Sequence, residues 1–209
     1  MTRHIAPATE LLAEAWLSWA ERGKGLDAET WARRTRLPEW TVLDLFAHVA
    51  PSAESFTQLR SAIVDGPAKV ESAADILRFF NQPGGLAHTA AGQVADAAKQ
   101  TAAGTDPAGL IARFEVEGPA ALAGCADLPP DTVAAHPLLG TVRIGALAEV
   151  ALMEATVHLL DLIAAVGGPP PADAALRAVR ALLAEVADPV AFIEAASGRS
   201  DAAVLPVIR

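Results

Sequence analysis

Apolar positions recur along this chain at helical spacing from one end to the other. In "PATELLAEAWLSWAERG" the stripe is Leu11, Leu12, Ala15, Trp16 and Trp19, and the run ends at Gly23. The next long element is "RLPEWTVLDLFAHVAPSAESFTQLRSAIVDG", with Val42, Leu45, Phe46 and Val49 as its stripe. Thr41 stands three residues before Asp44, which predicts a capping-box start just after Pro38. Pro51 lies inside the run and predicts a kink or break. "SAADILRFF" reads as a short helix stopped by "NQPGG". "LAHTAAGQVADAAKQTAAG" and "DPAGLIARFEVEGPAALAG" read as two more helices, and "LPPDTVAAHPLLGTVR" as a Pro-rich loop. A long helix over about 143–166 ends at "GGPPP", and "ADAALRAVRALLAEVA" is a last helix stopped by Asp188-Pro189. "SGRSDAAVLPVIR" is expected to be irregular or a short strand.

Short loops between amphipathic helices predict an all-α, up-down four-helix bundle with one or two additional helices. No repeat or long low-complexity linker divides the chain. Residues 1–187 are expected to form the helical bundle domain, with 188–209 as a short C-terminal tail packed on it.

Composition narrows the class. Of 209 residues, 52% are apolar, enough for a sizeable core. There are four Trp and no Tyr, which removes one common general acid. A net charge of −9 argues against a nucleic-acid partner. The single cysteine, Cys125, has no internal partner and points to a reducing compartment. No charged segment followed by an apolar one reads as a signal peptide, and every long apolar run is interrupted by Glu, His or Asp. A cytoplasmic location without a membrane partner is the expectation, with a homodimer left open.

Candidate chemistry concentrates in "GALAEVALMEATVHLLDLIAAVGG". Glu154, His158 and Asp161 fall at i, i+4 and i+7 on one face of an oily helix. The E-x-x-x-H pair puts a carboxylate and an imidazole within reach of one ion, and His48, beside Leu45 on the second element, offers a third ligand from a facing helix. By this reading His48, Glu154 and His158 bind zinc or another divalent metal. Asp44 and Asp161 are candidates to accept the remaining ring N–H of their neighbouring histidines. The competing reading is a set of ordinary core histidines, with Asp44 as a helix cap. His136 and Arg143 flank the loop entering the long helix and are candidates for the mouth of a site; His4 and His88 read as surface residues. "WARRTR" reads as a solvated basic face able to attract an anionic substrate.

These residues carry a resemblance. "LPEWTVLDLFAHV" together with "EATVHLLDL" resembles the DinB-like metalloenzymes, and within them the mycothiol-dependent maleylpyruvate isomerase branch. The resemblance covers roughly residues 8–185 and rests on Trp40, Asp44, His48, Glu154, His158 and Asp161. It implies a four-helix bundle with the metal near one end, with His48, Glu154 and His158 as ligands and mycothiol as a thiol cofactor. The isomerase of that branch also uses an arginine from a further C-terminal domain; Arg199 and Arg209 sit in no matching motif.

The function that follows is metal-dependent use of a low-molecular-weight thiol for isomerisation or S-transfer on a small electrophilic substrate. A metal near the thiol favours its thiolate form. Two alternatives stand beside it. One is a metal-dependent hydrolase with Asp161 or His136 as acid or base. The other is a non-catalytic helical bundle that binds a metal or ligand.

Overall fold

The computed structural model describes residues 8–201 and 203–208. His4 and Arg209 lie outside them. In chain order the elements are α1 (Ala8–Lys24), α2 (Ala28–Trp31), α3 (Val42–Val49), α4 (Ala53–Ser61), α5 (Ala73–Asn81) and α6 (Leu86–Thr89). They continue with α7 (Ala91–Gly104), α8 (Pro107–Ala112), a π-helical stretch at Arg113–Glu117, and α9 (Gly118–Ala123). A hairpin of β1 (Val133–His136) and β2 (Gly140–Arg143) then leads into α10 (Ile144–Val166), α11 (Asp173–Val186) and α12 (Pro189–Ala196).

The architecture is an all-α helical bundle with additional helices. α1 packs along α10, α3 packs on α7 and α10, and α5 fills the angle between α10 and α11. The stripe read from α1 is the buried one: Leu11, Leu12, Ala15, Trp16 and Trp19 all face the core. They meet Val42, Leu45 and Phe46 of α3, Ala98 and Ala102 of α7, and Leu152, Met153, Leu159 and Leu162 of α10. Each large side chain fully withdrawn from water contributes about 1.5–3 kcal/mol before the entropy of ordering it is subtracted. Trp19 is at the centre, stacked on Phe114 with centroids 5.4 Å apart and edge-on to Phe46 at 4.8 Å. Gly118, the first residue of α9, packs tightly on α1 and Pro51; a Cβ there would fall 2.5 Å from Pro51 Cγ and 2.8 Å from Trp16 Cε3.

Local signals explain most helix ends. Thr41 and Asp44 form the capping box of α3. Pro51 breaks the second element into α3 and α4, and Ser52 caps the latter. The helix read over 86–104 divides into α6 and α7, that over 106–124 into α8, the π-helical stretch and α9, and two further segments depart from the sequence expectation. The Pro-rich loop contains the antiparallel β1–β2 hairpin, with Val133 opposite Arg143 and His136 opposite Gly140. Its four-residue strands are too short to show alternation, yet Ala134 and Val142 are fully buried, and Val142 joins a small second core with Ile76, Leu139 and Ala146. The other departure is at Asp188-Pro189. Besides ending α11, this dipeptide starts α12: Asp188 accepts from Ala191 N at 2.8 Å and Pro189 occupies the first turn.

Among the described residues, no helix is long and apolar enough to cross a membrane.

Candidate metal centre

The short element α3 and the long element α10 cross where His48 faces Glu154 and His158. Each of these three residues offers a ligand atom, and the three atoms lie within 4.8 Å of one another. His158 Nε2 is 3.3 Å from Glu154 Oε2, and His48 Nε2 is 3.7 Å from the same oxygen. Ligands at about 2.1 Å in a tetrahedron stand roughly 3.4 Å apart, so these separations suit one divalent ion with little movement. Two imidazole nitrogens and one carboxylate oxygen are also a donor set that zinc accepts with a position left open.

The surroundings fix the two rings unequally. Asp161, a helical turn beyond His158 and 5% exposed, approaches Nδ1 of that ring through Oδ2 at 2.7 Å. The other oxygen of Asp161 accepts from Arg36 Nε at 2.6 Å. Trp40 covers both rings, with its centroid 4.9 Å from His48 and 6.3 Å from His158, nearly parallel to the latter. The indole thus forms an apolar wall to the centre. Beside His48, a cleft of about 210 Å³ between α3 and α7 is lined by Ala47, Val94, Ala97, Ala98 and Thr101. It opens onto His48. A larger hollow of about 380 Å³, bounded by Ala28, Trp31, Ala32, Thr41, Leu43 and Pro107, carries no titratable group.

Electrostatics in the cluster follow from the contacts. Burial pushes the Glu154 carboxyl up, but hydrogen bonds with His158 and then His48 outweigh it and hold the group at about 2. Burial pulls His158 down, and its bonds to Asp161 and Glu154 overcome that, raising it to about 9. Asp161 is likewise pushed up by burial and brought below its ordinary value by His158 and Arg36. Without a metal the cluster is therefore an imidazolium held between two carboxylates.

Asp44 takes the other of its two expected roles. Its Oδ2 accepts from Thr41 N at 2.8 Å and from Thr41 Oγ1 at 2.6 Å, so the carboxylate caps α3 instead of orienting His48. The free N–H and hydroxyl at the helix start lie within reach of a side chain three residues on, and they hold it there. His136 and Arg143 are also engaged elsewhere. His136 Nδ1 accepts from the backbone N–H of Leu138 and Leu139 inside the hairpin turn, and Arg143 pairs with Glu71 at 3.1 Å.

The sequence reading missed Arg36 as a partner of the site. It stands in "WARRTR", but the structure uses that segment as a clamp on the C-terminal half of α10. Arg33 donates to the Ala165 carbonyl at 3.2 Å while Arg36 reaches Asp161. The only signal was Asp161 itself, a carboxylate on an oily face with a second oxygen to satisfy.

A family model described as mycothiol maleylpyruvate isomerase N-terminal domain matches residues 12–163. The chain belongs to that family. The match takes in most of α1, all of α3 and the part of α10 that carries Glu154, His158 and Asp161. No curated protein and no solved structure matches the chain significantly. Membership in the mycothiol maleylpyruvate isomerase N-terminal domain family agrees with the helical fold and associates the chain with a mycothiol-linked, metal-binding group of proteins.

Proposed function

We propose that the protein is a divalent-metal-dependent enzyme that uses a low-molecular-weight thiol, mycothiol by family, to isomerise or S-conjugate a small electrophile. The observation that carries this reading is the convergence of His48, Glu154 and His158 from two helices to within 4.8 Å. All three are partly withdrawn from water, and crowding such polar groups at a helix crossing costs free energy unless a ligand rewards it. In this reading the ion, zinc by donor set, supplies the positive charge that favours a thiolate at neutral pH. The chain's own residues do the remaining work. His48, Glu154 and His158 hold the ion, Trp40 keeps water from one side, and the α3–α7 cleft admits the substrate and thiol.

The hydrolase alternative finds less support. It needs a free acid or base, yet both Asp161 oxygens are engaged and His136 is held in its hairpin. Two measurements test the proposal. Protein purified without a histidine tag is analysed for metal, and loss of an electrophilic substrate is followed with and without added thiol before and after chelation. About one equivalent of metal per chain and turnover that needs both thiol and metal are expected. Turnover independent of thiol would refute it.

A further inference from the structure

Three arginines lie against the second half of α10, and one of them differs from the others. Arg22 donates to the carbonyls of Gly167 and Pro169, and Arg33 to that of Ala165, so both satisfy backbone acceptors where the helix ends. Arg36 instead reaches back along the helix to a side chain. Its Nε donates to Oδ1 of Asp161 at 2.6 Å, and Asp161 is 5% exposed while Arg36 is 58% exposed. An exposed cation has therefore been drawn onto a buried carboxylate whose other oxygen lies 2.7 Å from Nδ1 of His158.

A carboxylate bonded through one oxygen turns easily about its terminal torsion, which is broad and nearly two-fold. Held at both oxygens, it is fixed in plane, and the imidazole bonded to it is fixed too. The nitrogen so fixed is the one pointing away from Glu154, because Nε2 of His158 is the atom 3.3 Å from Glu154 Oε2. The same short segment grips the ring a second time. Leu37 to Trp40 is a turn closed by the Trp40 N–H on the Leu37 carbonyl at 3.2 Å, and it carries the Trp40 indole onto the His158 ring. Orientation from behind and stacking from the side both come from residues 36–40.

We propose that Arg36 is a positioning residue of the metal centre, fixing the His158 ring through Asp161. The inference rests on the reading of His48, Glu154 and His158 as ligands. Partners of this kind behind a ligating histidine commonly change metal affinity by 10- to 100-fold.

The test uses the full chain, with Zn²⁺ affinity read by competition with a chromophoric chelator and the visible spectrum of the Co²⁺-loaded protein as a second readout. Arg36→Met should weaken Zn²⁺ binding by about 10- to 100-fold and shift the Co²⁺ bands. Arg36→Lys keeps a cationic donor and should recover part of the loss. Thermal unfolding of the metal-free variants is measured alongside, because Arg36 also ties its loop to α10. A Met variant with lower thermal stability but Zn²⁺ affinity within twofold of the parent and an unchanged Co²⁺ spectrum would reduce Arg36 to a structural clamp and overturn the proposal. A parent protein that binds neither ion would overturn the metal reading itself, an outcome separate from the first.

Discussion

The indole Nε1–H of Trp19 donates to the Ala155 carbonyl at 2.9 Å, tying the centre of α1 to the residue next to Glu154. Trp19 is fully buried, so this bond is made where water cannot replace it. It sets the register of α10 against the bundle core, while the ligands project from the neighbouring face. Trp19→Phe keeps an aromatic ring but loses the donor and leaves a gap; it should cost about 1–2 kcal/mol in chemical denaturation, against about 3–5 for Trp19→Ala. A Phe variant as stable as the parent would show that the bond contributes nothing net.

Glu39 supplies a second expectation. Its φ of 63° lies in the left-handed region, at the third position of the Leu37–Trp40 turn, where a residue other than Gly or Asn is strained. Its carboxylate meets Lys99 of α7 at 3.2 Å, an exposed pair that offsets little. Glu39→Gly should therefore raise the melting temperature, by the equivalent of up to about 1 kcal/mol, and Glu39→Val should lower it. If the two variants melted together, backbone strain would not be what this turn stores.

How much of this was legible beforehand depended on sequence distance. The capping box was readable because Thr41 and Asp44 are three residues apart and the free backbone groups they satisfy are local. The break at Pro51 needed only the missing N–H of proline. The triad of ligand candidates was half readable: Glu154 and His158 share a face by periodicity, whereas His48 joins them only through the packing of α3 on α10. Asp44 and Asp161 looked alike in spacing, and what separates them is the competing donor at Thr41. Arg36 was out of reach, since its partner lies 125 residues away and its neighbours read as a solvated basic run.

Metal uptake should release a proton, with a sign fixed by the cluster. Metal-free His158, raised to about 9, carries its proton at neutral pH, and it must lose it to ligate. Glu154, held at about 2, is already ionised there and releases none. Affinity should climb about tenfold per pH unit from roughly 7 to 9 and flatten above. Stability of the metal-free form should run the other way. The His158 contribution is fully present below about 6.5 and lost as pH rises through about 9, and the Glu154 contribution is present above about 4.5 and lost as pH falls through about 2. Calorimetric titration of Zn²⁺ in two buffers of different ionisation enthalpy counts the proton. A count near zero at pH 7 would mean that the metal does not displace the His158 proton.

His158→Ala separates a ligand from a packed core residue. The ring is bonded to Asp161, faces Glu154 and stacks near Trp40, so either role is compatible with its burial. As a ligand, its removal leaves two donors that hold zinc poorly, and metal content and thiol-dependent turnover should fall to background. The metal-free fold should survive, with Asp161 still held by Arg36, but lose near neutral pH the stability that the imidazolium draws from Asp161 and Glu154. As a core residue, its loss would instead open a cavity and cost on the order of 1–3 kcal/mol, with metal content unchanged. Denaturation of the chelator-treated proteins beside metal analysis of the untreated ones distinguishes the cases. A clearly destabilised variant that keeps its metal would remove His158 from the centre.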